Sequence, residues 1–132
     1  MPFRLLFAAA LLICAPASFA AAEGGRYLPD ILAGGPQAEA MKTMLAGAPA
    51  HVAWVRELKG PSGPSRIVEV AGQRREIGFI CKQNACMNNQ FKVLFSADGA
   101  FAVGLLITAS GPEFFGSPTP AERKALVETQ QP

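Results

Sequence analysis

Two cysteines five positions apart, Cys81 and Cys86, constrain this chain more than any other feature. Apolar segments flank the pair, and four polar or small residues separate its members: Lys82, Gln83, Asn84 and Ala85. This pattern predicts a turn between two strands, closed by a disulfide. Closing so short a loop stabilises a fold by only about 2 kcal/mol. We therefore interpret the disulfide chiefly as a means of stiffening a projecting loop, although a crosslinked hairpin with no further role fits the spacing equally well.

The N-terminus has the three-part layout of a secretory signal peptide. A positively charged start is followed by an apolar run over residues 5–15 and by small residues at 20–22. We predict a signal peptide over residues 1–22 and a mature domain over residues 23–132. The bulky residue before Cys14 does not fit a lipoprotein signal. The chain's other two cysteines therefore remain as a pair in an oxidising compartment.

Size and charge narrow the possible partners. The predicted mature domain has about 110 residues, enough for one domain with its own core. The chain carries 12 Lys and Arg against 10 Asp and Glu, and removing Arg4 with the signal leaves a net charge of +1. This balance, without a basic block, gives no reason to expect a nucleic acid partner. The N-terminal apolar run is too short to span a bilayer, so we expect no membrane association after cleavage.

Strand patterns dominate the middle of the chain. We predict an α+β fold, with a single antiparallel sheet of about five strands and flanking short helices. The segments predicted as strands are 51–58, 66–70, 74–81, 90–96 and 101–108. Helices are predicted to begin at Pro36 and at Pro120, because proline suits the first helical position and Thr119 gives the second helix capping-box spacing. Phe114 and Phe115 are expected to pack at the end of the sheet.

Motifs of catalysis are missing from the sequence. It has no Ser-His-Asp grouping, no phosphate-binding glycine loop and no histidine pair for a metal. Four residues separate the cysteines, whereas redox enzymes use C-x-x-C. The single histidine, His51, has no partner at informative spacing, and Glu69, Glu76 and Glu113 lie where solvated charges are expected. We predict that the protein is not an enzyme, with no catalytic residue, metal site or cofactor.

A family resemblance rests on three features. The signal peptide, the Ala53-Trp54-Val55 segment read as a strand, and the Cys81-x-x-x-x-Cys86 hairpin together resemble the Ivy family, over about residues 50–127. Members of this family are bacterial, usually periplasmic, inhibitors of vertebrate C-type lysozyme. The resemblance implies a periplasmic, Ivy-like domain, a monomer or homodimer, whose partner is a C-type lysozyme or a related muramidase. It further implies that Lys82, Gln83, Asn84 and Ala85 form an inhibitory loop that enters the partner's active-site cleft.

The loop departs from the family pattern, which reads C-K-P-H-D-C. Lys82 matches, whereas Gln83, Asn84 and Ala85 stand where the family has proline, histidine and aspartate. An Ivy-like periplasmic binding or structural protein with weak or no inhibition is therefore the alternative. The strands beside the loop carry Arg74, Arg75 and Lys92. If these cations share a face with Lys82, that end of the molecule would prefer an acidic partner. An ordinary solvated strand face is the interpretation that we favour.

Overall fold

The computed structural model of the protein describes residues 25–131, so the predicted signal peptide lies outside the described residues. The helices are α1 (Leu28–Ile31), α2 (Pro36–Met44), α3 (Ala53–Arg56) and α4 (Pro120–Glu128). The strands are β1 (Arg66–Val70), β2 (Gln73–Cys81), β3 (Asn89–Phe95), β4 (Ala102–Thr108) and β5 (Gly111–Phe115). The strands pair in chain order into one antiparallel sheet. The predicted α+β fold with a single five-stranded sheet is confirmed.

The antiparallel register sorts the strand side chains onto two faces. Ile80 of β2 lies opposite Phe91 of β3, which lies opposite Leu106 of β4. The neighbouring row begins at Phe79, opposite Lys92. Because successive side chains of a strand point to opposite sides, these two rows belong to different faces.

Helices cover both faces of the sheet. The core between the sheet and α1, α2 and α3 includes Leu28, Met41, Trp54, Val55, Phe91 and Phe115. The core on the face that α4 covers includes Val70, Ile77, Phe79, Leu94, Leu105 and Leu126. In residues 25–131, no helix is long and apolar enough to cross a membrane. With both faces packed, the sheet meets solvent at its edge strands, β1 and β5, and at the loops that join the strands.

The predicted start of α4 is confirmed, and a hydrogen bond joins this end of the helix to β2. The Thr119 hydroxyl accepts a hydrogen bond from the Glu122 N–H at 3.2 Å, and the Glu122 carboxylate accepts one from the Thr119 N–H at 2.9 Å. Arg75 of β2 also donates to the Glu122 carboxylate, at 2.8 Å. Burial tends to raise the pKa of Glu122, but the hydrogen bonds from Thr119 and Arg75 outweigh it and lower the pKa.

The prediction of a strand over residues 51–58 is wrong. A 3₁₀ turn over Ala50–Val52 leads into α3, so the segment with Trp54 that carries part of the family resemblance is helical. Val52 and Val55 are three positions apart and both fully buried, while the two residues after Val55 are exposed. Helical spacing therefore brings these side chains into one core. Packing overrides the strand preference of β-branched and aromatic residues here.

Residues 111–115 form a strand that the sequence did not predict. Phe114 and Phe115 do pack with the domain, but they do so as part of β5, the edge strand beside β4. The ring centroids of Phe115 and Phe91 are 5.9 Å apart, and the guanidinium of Arg123 lies 4.6 Å from the centre of the Phe114 ring. Pro112 is tolerated because β5 is an edge strand. One row of its backbone N–H groups has no strand partner, so proline, which lacks an N–H, can stand there without the loss of a sheet hydrogen bond.

Candidate functional site

A disulfide joins the sheet to the loop that follows β2. Cys81, the last residue of β2, is 2% exposed, and its sulfur is bonded to that of Cys86. Cys86 is exposed and begins a 3₁₀ turn over Cys86–Asn88 that leads directly into β3. The Cα atoms of the two cysteines are 4.8 Å apart. The loop is therefore fixed at one end in the core and at the other on the surface.

The loop itself is a tight β-turn over residues 82–85. The Ala85 N–H donates to the Lys82 carbonyl at 3.1 Å, and Asn84, at the third position, has a φ of 62°. A positive φ at that position is the mark of a type II turn, which favours glycine or asparagine. The local backbone thus explains why asparagine is accommodated at residue 84.

The tip of this turn consists of side chains with no partner in the described part of the protein. Lys82, Gln83 and Asn84 are exposed, and Ala85 is half-buried. Across residues 25–131, the side chains of Lys82, Gln83 and Asn84 make no hydrogen bond or ion pair. The tip therefore offers an ammonium group and two amides to solvent, and it contributes little to the packing of the domain.

A stretch of backbone before β1 supports the turn from one side. The Cys81 N–H donates to the Pro61 carbonyl at 3.0 Å, and the Gln83 N–H donates to the Lys59 carbonyl at 3.3 Å. Between these two bonds, Gly60 lies so close to Cys81 that a Cβ atom at residue 60 would overlap the Cys81 carbonyl oxygen. Only glycine permits this approach.

The start of β3 supports the turn from the other side. The Lys82 N–H donates to the Asn89 carbonyl at 3.0 Å, and the Asn89 side-chain amide donates to the Ala85 carbonyl at 3.2 Å. The Asn88 N–H also donates to the Ala85 carbonyl, at 3.4 Å. Together with the disulfide, these bonds hold the turn as one unit with the sheet.

Sequence reasoning missed two parts of this site. The first is the supporting segment 59–61, whose glycine and proline indicate no more than a loop. The second is Met87, which is 91% exposed on the 3₁₀ turn beside the loop. A methionine among polar neighbours in C-M-N-N is the signal that was available for it.

Two of the cations on the strands beside the loop, Arg75 and Lys92, do not share an exposed face with Lys82. The ammonium of Lys92 is buried against α4, where it donates to the carbonyls of Leu126 at 2.9 Å and Thr129 at 2.7 Å. Burial lowers the pKa of Lys92. Arg75 is paired with the α4 carboxylate described above. Lys82 is therefore separated from these two cations, which are engaged by α4.

The single histidine contacts edge strand β5. The His51 Nε2 atom lies 2.8 Å from a carboxylate oxygen of Glu113, on edge strand β5, and both side chains are substantially exposed. Within residues 25–131, no group of three or more His, Cys, Asp or Glu is placed to hold a metal ion. The His51–Glu113 pair is an exposed surface contact.

Comparisons with known proteins identify similar chains. A profile of the family described as "Inhibitor of vertebrate lysozyme (Ivy)" matches residues 36–132. An uncharacterised protein of Yersinia pestis is 35% identical over 77 residues, which cover 58% of this chain and 50% of the relative. The "Inhibitor of vertebrate lysozyme" of Pseudomonas aeruginosa is 36% identical over 55 residues, which cover 42% of this chain and 36% of the relative. The chain spans half or less of the length of these two relatives.

Proposed function

Because the chain belongs to the Ivy family, described as inhibitors of vertebrate lysozyme, we propose that it inhibits a C-type lysozyme or a related muramidase in the periplasm, by inserting its Cys81–Cys86 loop into the active-site cleft. The family is one of inhibitors, which agrees with the prediction that the chain is not an enzyme. The observation that carries the mechanism is the disulfide-closed turn, whose backbone is fixed while its tip side chains are unengaged.

The chemistry of the tip suits a cleft that contains carboxyl groups. Lysozyme works with one protonated carboxylic acid and one ionised carboxylate. The Lys82 ammonium complements the ionised group, and the amides of Gln83 and Asn84 donate hydrogen bonds without needing a charge of their own. Because the backbone of the turn is already ordered, little conformational entropy is lost when the loop enters the cleft.

The amide tip is expected to bind less tightly than the histidine tip of the family pattern. Hydrogen bonds from a charged donor are roughly twice as strong as those between neutral groups, and Asn84 is neutral. One lost contact of this kind costs about 1–3 kcal/mol, or roughly ten- to a hundredfold in affinity. We therefore propose a weaker inhibitor of C-type lysozyme than a chain with histidine at residue 84.

An assay of peptidoglycan lysis tests the loop directly. Purified residues 23–132 are titrated against a vertebrate C-type lysozyme, together with Lys82→Gln and Asn84→Gly variants. Glycine at residue 84 removes the amide but accepts the positive φ, whereas alanine there would also strain the turn. Both variants should raise the concentration needed for half-inhibition and leave the melting temperature unchanged. Unaltered inhibition by both variants would contradict insertion of the loop.

Restoring the family pattern gives the reciprocal test. Asn84→His with Ala85→Asp should strengthen inhibition of the same lysozyme about ten- to a hundredfold. Gln83→Pro is added separately, because proline removes the N–H that donates to the Lys59 carbonyl. No gain from the histidine and aspartate, in a variant shown to be folded, would count against the mechanism.

The replacements at residues 83–85 favour one second candidate. A chain that keeps the scaffold but lacks the proline, histidine and aspartate is an Ivy-like periplasmic binding or structural protein with weak or no inhibition. An unchanged lysozyme rate at high micromolar protein would support this candidate over the first.

The proposed location has its own test. The full chain, expressed in a Gram-negative host, should appear in the periplasmic fraction without residues 1–22, as measured by mass spectrometry of the intact protein. Recovery of the uncleaved chain in the cytoplasmic fraction would contradict the location and the signal peptide.

A further inference from the structure

Met87 is a large apolar side chain held almost entirely in solvent beside the proposed inhibitory loop. It is 91% exposed, compared with 74% for Phe101, 54% for Val127 and 51% for Tyr27, the other exposed large apolar side chains of the described residues. Exposed apolar residues are ordinary on protein surfaces when they are scattered. The position of Met87 is what distinguishes it.

The backbone of Met87 belongs to the same ordered unit as the loop. Its neighbour Cys86 is bonded to Cys81, which is buried in the sheet. Its other neighbour, Asn88, donates its N–H to the Ala85 carbonyl. Met87 is therefore attached to the turn on both sides of its backbone, beside the tip that the proposed partner would receive.

We infer that Met87 is a second contact of the inhibitory surface, which places a thioether against an apolar, aromatic wall of the partner's cleft. This inference rests on the function proposed above and adds an apolar contact to the polar tip. The matching chemistry is available in a muramidase, because the catalytic acid of lysozyme lies in a hydrophobic pocket against a tryptophan. Methionine adapts its shape to irregular surfaces and makes favourable sulfur–aromatic contacts.

The first experiment replaces Met87 by one polar and one apolar residue of similar size. Met87→Gln should weaken inhibition of a vertebrate C-type lysozyme about ten- to a hundredfold, because the apolar surface is no longer buried on binding. Met87→Leu keeps an apolar side chain and should inhibit more strongly than Met87→Gln. Since Met87 is exposed, the melting temperatures of all these proteins should agree.

Phe101→Gln is the matched control. Phe101 is the next most exposed apolar side chain, and it precedes β4 at the end of the sheet opposite to the disulfide, because Ala102 pairs with Phe95 while Thr108 pairs with Asn89. This variant should inhibit as well as the unaltered protein. If Met87→Gln matches the unaltered protein in inhibition, the inference on Met87 is overturned and the proposed function stands. If the unaltered protein neither binds nor inhibits the lysozyme, both fail.

The second experiment changes the same side chain chemically. Hydrogen peroxide transfers one oxygen atom to the thioether sulfur as its O–O bond breaks, which yields a polar sulfoxide and releases water. Met87 should react first, because Met41 is buried and Met44 is half-buried. Mass spectrometry locates the added oxygen. Oxidation should weaken inhibition by the unaltered protein about as much as Met87→Gln does, while Met87→Leu should keep its own untreated inhibition. An equal loss in Met87→Leu would overturn the inference.

Discussion

Removing the disulfide should weaken inhibition more than the loss of stability accounts for. The variant Cys81→Ala/Cys86→Ala opens the loop and leaves no free thiol at either position. The two cysteines are five positions apart, so their disulfide contributes about 2 kcal/mol to the free energy of unfolding. For a domain of this size, that loss lowers the melting temperature by about 10 °C. The domain should therefore remain folded at room temperature.

The effect on affinity follows from the bonds that remain. The Lys82 N–H still donates to the Asn89 carbonyl, and the Gln83 N–H still donates to the Lys59 carbonyl, so the open loop keeps its attachment on both sides. Asn84, whose backbone makes no hydrogen bond to either supporting segment, regains freedom, and ordering one residue costs about 1–2 kcal/mol. If this residue has to be ordered again on binding, inhibition falls about five- to thirtyfold.

The assay compares lysis of peptidoglycan by a vertebrate C-type lysozyme in the presence of the unaltered protein and of the double alanine variant. Both proteins are assayed at about 20 °C, well below the expected melting temperature of the variant. Circular dichroism establishes that both are folded. Equal inhibition by the two proteins would refute the reasoning that a stiffened loop is the inhibitory contact. It would leave the family membership of the chain untouched.

Three further predictions concern stability, measured by chemical unfolding. Gly60→Ala should lower the free energy of unfolding by about 3–5 kcal/mol, because its Cβ overlaps the Cys81 carbonyl, whereas Gly34→Ala, with open space around it, should be almost neutral. Burial lowers the Lys92 pKa in the folded protein, so between the folded and unfolded pKa values the unfolded chain binds more protons than the folded one. The free energy of unfolding of the unaltered protein, relative to that of Lys92→Met, should therefore rise with pH up to about 10.4. The Glu122 pKa is lowered on folding, so the stability that it provides is complete above about pH 4.3 and is lost as the pH falls through the lower, folded value. Glu122→Gln should therefore reduce the loss of stability in acid, and equal acid profiles would contradict this.

The central hairpin could be predicted because its signals are local. Apolar residues on both sides of Cys81 and Cys86 indicate two strands, and the short polar interval between the cysteines leaves room only for a turn. The start of α4 was equally predictable, since Thr119 and Glu122 stand at the spacing of a capping box. In each case a few neighbouring residues determine the local conformation.

The segments that were predicted wrongly depend on contacts distant in sequence. The apolar positions of residues 51–58 fit both an alternating strand and a helical turn, and the core above the sheet decides in favour of the turn. Residues 111–115 contain a glycine and a proline, which argue against a strand. They pair nevertheless, because β4 presents a free edge and Phe115 can pack against Phe91.

The support of the site could not be predicted for a related reason. The glycines and prolines near residue 60 indicate a loop, but no spacing indicates that its backbone runs beside Cys81 and Gln83. Arg75 and Lys92 contribute no basic surface beside Lys82, because α4 engages both side chains. Side chains alone, read along two strands, do not reveal which helix will cover them.

The unengaged tip of the turn has a consequence for how such a protein can diversify. Lys82, Gln83 and Asn84 are exposed and make no side-chain bond to the rest of the described domain, so new side chains at these positions leave the fold intact as long as residue 84 tolerates a left-handed backbone. If the loop acts as proposed, recognition can then change from one target enzyme to another while the framework is inherited unchanged. Substitutions at three adjacent codons would then be enough for such a protein to adapt to a target enzyme whose own surface has changed.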